Sequence, residues 1–119
     1  LAWVIDKFKA WTWPPDTMPE DILGTDRILE HVSLYWFTRT AGSSAYIGYA
    51  ARSWGPPAEP SGVPTAFLEL AHDIGIRSLV EREHHVQRWT DINHGGHFAA
   101  MEEPKILVGD VRAFFRGVR

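Results

Sequence analysis

Apolar side chains recur at helical spacing at the start of the chain. Residues 1–13 place Val4, Ile5, Phe8 and Trp11 on one face, and charged residues lie between them. Prolines follow at positions 14 and 15, and a helix interior excludes them because proline lacks the backbone N–H. The chain therefore opens on a predicted amphipathic helix that ends near residue 13.

Two further helices are predicted in the first half. Thr25 offers an N-cap and Asp26 a first-turn carboxylate for the first of them. The apolar face of that helix consists of Ile28, Leu29, Val32, Tyr35 and Trp36. Ser43 and Ser44 are expected to cap the second helix, which runs to about Trp54.

The pattern changes after a loop rich in proline and glycine at 55–62. Residues 63–68 are typical of a short buried strand, 77–83 of a short helix and 84–89 of a second strand. A last helix begins with Pro104 in its first turn and carries arginines opposite its apolar face. This strand–helix–strand–helix order predicts a parallel βα unit. Since parallel sheets are covered on both faces, we expect the unit to be the end of a larger sheet.

Composition narrows the class of protein. The chain has 119 residues, 45% of them hydrophobic and 23% charged, so we expect one small folded domain. A net charge of −3 argues against a nucleic-acid partner, which requires a basic surface. The absence of cysteine excludes disulfides, thiolate metal sites and cysteine nucleophiles. No apolar run approaches a membrane span and nothing resembles a signal peptide, which leaves the compartment undetermined, with the cytoplasm as the expectation.

The aromatic content points to a partner. Six tryptophans in so short a chain are a large apolar surface to bury. The chain also begins inside a predicted helix and without methionine, so we expect further polypeptide upstream. Trp3, Trp11, Trp36 and Trp54 are expected to be exposed or at an interface, formed with that upstream part or with a second chain.

One histidine stands out as a candidate catalytic residue. His97 follows Gly95 and Gly96, after a predicted strand and before a predicted helix. The carboxyl edge of an open α/β sheet is where reacting groups gather. Phe98 and the two alanines after it are expected to lie behind the imidazole. The alternative is a loop histidine held by a helix N-terminus.

Glu69 is the predicted partner of His97. It follows the first strand, so it belongs to the same sheet edge. A carboxylate there accepts the Nδ1 proton of the imidazole and leaves Nε2 free to act as a base. The alternative is a solvated loop glutamate.

Several motifs resemble one enzyme family along almost the whole chain. The block GGHFAA at 95–100, followed by EP at 103–104 and DVRAFF at 110–115, resembles the C-terminal end of epoxide hydrolases of the microsomal and juvenile-hormone types. KFKAW at 7–11 and YWFTRT at 35–40, with the paired serines after it, resemble earlier segments of those enzymes.

The resemblance implies an α/β class, namely the C-terminal portion of an α/β-hydrolase fold with helices and its last two parallel strands. Residues 1–60 would be a helical segment that includes the end of the cap region. Residues 61–119 would be the C-terminal strand–helix–strand–helix unit of the core. No cofactor and no metal are implied, and the implied substrate is a small epoxide.

The resemblance also implies roles for individual residues. His97 would be the general base and Glu69 its orienting acid, in the hydrolysis of an epoxide to a diol through an ester intermediate. A tyrosine acid falls after the paired serines, where Tyr46 and Tyr49 are the candidates although Gly48 aligns most directly. The attacking aspartate would lie upstream, so we expect the chain to be inactive alone.

Three alternatives remain open from the sequence. A metal site would use His94 with His97, the E-x-x-H spacing at 69–72, or His84 and His85, which face opposite sides of a predicted strand. A non-catalytic interaction module would assemble with a partner chain. A different α/β-hydrolase activity would share the histidine–acid pair. For the attacking group, the nearby carboxylates of Asp73 and Asp91 lack the strand–turn–helix setting of a nucleophile.

Overall fold

A computed structural model of the protein describes residues 1–50 and 59–118. Its helices and strands, in chain order, are α1 (Ala2–Trp11), α2 (Pro19–Leu23), α3 (Thr25–Thr38), α4 (Ala41–Ala50), β1 (Pro64–Glu69), α5 (Arg77–Glu83), β2 (His85–Asp91), α6 (Ala99–Glu102) and α7 (Pro104–Gly117).

The predicted helices of the first half are present, with different ends. The predicted N-cap at Thr25 is wrong, because Thr25 is already helical and Gly24 is the N-cap of α3. Gly24 has a φ of 82°, and its N–H donates to the Glu20 carbonyl at the end of α2. This one glycine both ends α2, a single turn that the sequence did not reveal, and starts α3.

Ser43 and Ser44 do not cap α4 as expected. Their hydroxyls donate to the Thr40 carbonyl, just before the helix, at 3.0 and 2.6 Å. A capping hydroxyl would instead accept a hydrogen bond from a free N–H group in the first turn. α4 ends at Ala50. The predicted extension to Trp54 lies outside the described residues.

The strands form the predicted parallel pair. Pro64 lies opposite His85 and Glu69 opposite Asp91, with an irregularity after Thr65. The connection contains α5 at its predicted position. The prediction that His84 belongs to the strand is wrong, because His84 ends α5 and has no place in the ladder. Helices with two parallel strands are consistent with part of an α/β-hydrolase fold.

The core joins the helices of the first half to the loop and helix that follow β2. Phe8, Leu23 and Ile28 are almost fully buried. The partly buried residues packed against them are Val4, Ile5, Val32, Phe98 and Met101. Because Phe98 and Met101 flank the start of α6, this core fixes the position of the residues after His97 relative to α1.

Much aromatic surface is left uncovered, as predicted. Trp3 and Trp36 keep 59% and 76% of their surface exposed, and Trp11 is also exposed. The prediction is confirmed for these three tryptophans, and Trp54 lies outside the described residues. Within residues 1–50 and 59–118, no helix has the length and apolar character needed to span a bilayer.

A buried carboxylate fastens α7 to β2. Asp110 accepts hydrogen bonds from Arg88 Nε at 2.7 Å and from the Thr90 hydroxyl at 2.8 Å. Burial alone would raise the pKa of Asp110, but the two hydrogen bonds and the Arg88 charge together lower it below the ordinary value of 3.8. Asp110 is therefore a charged anchor between the last helix and the sheet.

Replacing Asp110 by asparagine is expected to destabilise the chain at pH 7 by about 2 kcal/mol, because a charged hydrogen-bond network on β2 is lost. Since folding lowers this pKa, the stabilisation is present above pH 3.8 and is lost as the pH falls through the lower folded value. The wild-type and variant unfolding free energies should therefore converge at low pH, measured by urea titration at pH 7 and pH 3. Asp6→Asn, at an exposed pair with Lys7, is the control and should change stability by less than about 0.5 kcal/mol. Equal losses in the two variants would contradict the assignment.

Candidate active site

The candidate site lies where two loops leave the carboxyl ends of the strands. The loop after β1 runs beside the loop after β2, since the N–H groups of Ala71 and His72 both donate at 3.3 Å, to the carbonyls of His94 and Gly95 respectively. Gly95 has a φ of 78°, a conformation that favours glycine. The two loops are thereby held together just before His97.

His97 is exposed, and its ring lies against α1. The backbone N–H of His97 donates to the Trp11 carbonyl at 2.9 Å, and the ring centroids of His97 and Trp11 are 4.8 Å apart. The imidazole borders a cleft of about 270 Å³. Other side chains in the cleft wall are those of Trp3, Lys7, Trp11, His31, Tyr35 and Phe98. The histidine is thus presented to a mainly apolar space.

Glu69 lies further back on the strand. It is the last residue of β1, level with Asp91, and its carbonyl accepts from the Ile92 N–H at 2.8 Å. Its carboxylate lies against Gly75, where a Cβ would come within 2.8 Å of Oε1. Among the described residues, no hydrogen bond joins Glu69 to the His97 ring. In the part of the chain that the structure describes, the two residues therefore have no direct bond, although the loop of His97 and the loop after Glu69 leave the same edge of the sheet.

A second carboxylate lies on the loop after β1. Asp73 follows His72, the residue bonded to Gly95, and its Oδ1 accepts from the Ile74 N–H at 2.7 Å. Burial raises the pKa of Glu69, and the carboxylates of Asp73 and Asp91 raise it further. In the part of the chain that the structure describes, none of these three carboxylates forms an ion pair. This edge of the sheet is therefore acidic and suited to a cationic partner.

The predicted tyrosines lie elsewhere. Tyr46 and Tyr49 are on α4, exposed, with ring centroids 5.8 Å apart, and neither lines the cleft beside His97. Tyr35 on α3 lines it instead, next to His31 at a centroid distance of 5.3 Å. The sequence places Tyr35 on the apolar face of a predicted helix and in the YWFTRT stretch, and neither observation assigned it to the site.

The other histidines of the metal hypothesis are dispersed. His94 Nδ1 donates to Glu103 Oε1 at 2.7 Å, and His85 Nδ1 lies 3.1 Å from the Gly62 carbonyl. Over residues 1–50 and 59–118, no group of three or more histidine or carboxylate side chains is arranged to hold a metal ion. The histidines therefore have separate environments.

Glu102 belongs to the site although no motif in the sequence indicates it. Its carboxylate accepts from the N–H of Phe98 and from the N–H of Trp13, at 3.0 and 2.9 Å. It thereby connects the loop of His97 to the segment after α1. The sequence carries no signal for this contact, because Trp13 and Glu102 are close only in the folded chain.

The arrangement is suited to proton abstraction. Over the described ranges 1–50 and 59–118, the imidazole has no hydrogen bond to Glu69 and faces a mainly apolar cleft, and three carboxylates without ion-pair partners lie at the carboxyl end of the strands. An imidazole of this kind can take a proton from water.

Three relatives found by comparison with known proteins all carry the name epoxide hydrolase. The chain is 35% identical over 122 residues to a protein of Stigmatella aurantiaca named "Putative epoxide hydrolase", a match that covers 99% of this chain and 27% of the relative. It is 29% identical to "Juvenile hormone epoxide hydrolase 2" of Ctenocephalides felis, over 92% of this chain and 26% of that protein. It is 28% identical to "Epoxide hydrolase 1" of Sus scrofa, over 95% of this chain and 28% of that protein.

The chain thus spans about a quarter of the length of the curated relatives that it matches. A scan against models of known protein families gave no match.

Proposed function

We propose that this chain supplies the water-activating part of an epoxide hydrolase. Nearly its whole length is homologous to a segment of epoxide hydrolases that makes up about 27% of their length. His97 is the general base in this proposal. An aspartate outside the chain attacks an epoxide carbon, the carbon–oxygen bond opens, and a tyrosine protonates the released oxygen to leave an ester. His97 then takes a proton from water, and the hydroxide attacks the ester carbonyl. The ester carbon–oxygen bond breaks, the released alkoxide takes the carboxyl proton, and the diol leaves the restored aspartate. The proton held by His97 returns to the tyrosinate.

The observation that carries this proposal is that the His97 ring borders the cleft while its backbone is held against α1. Its backbone is bonded to Trp11, its ring lies on the cleft, and two buried glycines precede it. A base that must reach a water molecule beside a bound ester needs an exposed ring on a rigid support. The apolar wall of the cleft suits the carbon skeleton of a small epoxide and excludes bulk water.

The orienting acid is either Glu69, at the end of β1, or Asp73, on the loop that follows it. Glu69 is the residue implied by the family motif. The position of Asp73 supports it as the rival, since it follows the residue bonded to Gly95, whereas the Glu69 carboxylate lies against Gly75. Either carboxylate would fix the imidazole tautomer and stabilise the imidazolium formed in the second step.

The exposed aromatic surface supports a partner for this chain. Trp3, Trp36 and the groove between β1 and α7 are apolar surfaces of the kind that soluble monomers bury. We propose that they contact the rest of a hydrolase, which also brings the attacking aspartate. A purely structural role in assembly is the second candidate, and it predicts that no variant of His97 affects turnover.

Grafting this chain into the Stigmatella aurantiaca relative, in place of the segment it matches, should give an enzyme that converts an apolar aryl epoxide to its diol. This chimeric protein is called the graft below. The isolated 119-residue chain should not turn the epoxide over, because none of the residues that the structure describes is placed as a nucleophile. Diol formation is measured by chromatography. Steady turnover by the isolated chain, abolished by Asp73→Asn or Asp91→Asn, would contradict the proposal.

The same assay separates the two acids. Glu69→Gln and Asp73→Asn each remove one negative charge with little change of shape. The variant that removes the orienting acid should lower kcat by about 10²–10⁴. The other variant serves as the matched control and should stay within about threefold of the unmodified graft.

A further inference from the structure

The backbone around His97 is tied to the end of α1 by three hydrogen bonds. The His97 N–H donates to the Trp11 carbonyl at 2.9 Å. Glu102 accepts from the Phe98 N–H through Oε1 at 3.0 Å and from the Trp13 N–H through Oε2 at 2.9 Å. The Glu102 carboxylate therefore joins the loop of His97 to the end of α1. This contact between Trp11, Trp13, His97, Phe98 and Glu102 is called the junction below.

Gly96 shows how closely the two segments approach. A Cβ at this position would lie 2.5 Å from the Trp11 carbonyl oxygen and 2.9 Å from both the Trp13 nitrogen and Glu102 Oε1. The three groups of the hydrogen-bonded junction thus converge on the residue immediately before His97. Any displacement of Glu102 changes the surface against which the His97 backbone rests.

We propose that Glu102 is a positioning residue for His97. By holding the N–H groups of Phe98 and Trp13 at once, it keeps the loop docked on α1, so that the His97 ring stays against Trp11 at the edge of the cleft. The inference rests on the proposed function only where it concerns turnover. The docking itself is a property of the chain.

The chemistry of the junction requires a carboxylate. Two backbone N–H groups point at one side chain, and only a carboxylate offers an acceptor oxygen to each of them. A glutamine at 102 keeps one acceptor and turns an NH₂ group towards the other donor. Glu102→Gln therefore breaks one arm of the junction at nearly constant side-chain volume.

Glu103 provides a matched control. It is the adjacent residue and also a partly buried glutamate, but its carboxylate accepts from His94 Nδ1 at 2.7 Å. Glu103→Gln thus alters the same loop through a different histidine. General loosening of the loop would affect both variants, whereas the proposed docking is specific to Glu102.

Nuclear magnetic resonance of the ¹⁵N-labelled 119-residue chain tests the docking without any substrate. Glu102→Gln should speed amide hydrogen exchange of the His97 N–H at least tenfold, although this group does not contact Glu102. The His97 ring signals should also move, because the ring leaves the Trp11 face 4.8 Å away. Glu103→Gln should leave the exchange rate of the His97 N–H within twofold of wild type and the His97 ring signals unmoved. Glu102→Asp, which keeps the charge on a shorter side chain, should be intermediate and replaces the glutamine variant if that one does not fold.

The inference is overturned if the His97 signals and exchange in Glu102→Gln match wild type while Phe98 and Trp13 exchange faster. It is also overturned if both glutamine variants disturb His97 equally. In the graft, Glu102→Gln should lower kcat at least tenfold with little change in KM. If the graft does not hydrolyse epoxides while the His97 signals respond as expected, the proposed function fails and the positioning role stands.

Discussion

Replacing His97 by alanine is expected to stop diol release from the graft while the first attack on the epoxide continues. Without a base, water attacks the ester slowly, and removal of a general base costs about 10²–10⁴ in rate. The graft should therefore consume about one equivalent of epoxide and then stall with the substrate carbon bound to it. Intact-protein mass spectrometry should show the added mass of the epoxide, and chromatography should show the missing diol.

His94→Ala is the control for this experiment. His94 belongs to the same loop, but its ring is bonded to Glu103 and does not line the cleft. Its replacement should leave turnover within about threefold and should trap no adduct. Equal loss of diol in the two variants, or loss without an adduct in His97→Ala, would contradict the assignment of His97 as the base of the second step.

The second half of the chain was predictable because its signals are local. The α5 helix has the predicted bounds of 77–83, and Pro104 begins α7 as its missing N–H requires. The loop of His97 was recognisable from its glycines, since Gly95 has a left-handed φ and Gly96 lies against neighbouring backbone. These features depend on residues near one another in the sequence.

The remainder of the site depends on contacts between distant segments. The junction of Trp11, Trp13 and Glu102 joins the end of α1 to α6, and no periodicity or spacing reports it. The short α2 escaped notice because a single turn has too little apolar repetition, and its existence moved the N-cap of α3 to Gly24. Tyr35 was assigned to a helix face and to a family motif but not to the site, whereas the packing of α3 beside α1 puts it in the cleft.

Gly96→Ala tests the junction by sterics alone. The added Cβ would lie 2.5 Å from the Trp11 carbonyl oxygen, a backbone atom that cannot relieve the clash by a side-chain rotation. Because the Trp13 nitrogen and Glu102 also crowd this position, we expect a loss near the upper end of the usual 1–3 kcal/mol for overpacking, about 3 kcal/mol. Urea unfolding of the isolated chain measures the loss, and the graft should lose activity as the His97 loop moves away from α1.

Gly109→Ala makes the same chemical change where space is open. Gly109 lies within α7, and a Cβ there would meet nothing within 4 Å. Alanine favours a helix interior over glycine, so this variant should gain roughly 0.5–1 kcal/mol. The two substitutions therefore have opposite expected signs. A stability within 0.5 kcal/mol of wild type for Gly96→Ala would mean that the His97 loop is not docked on the end of α1, and the positioning role of Glu102 would lose its geometric basis.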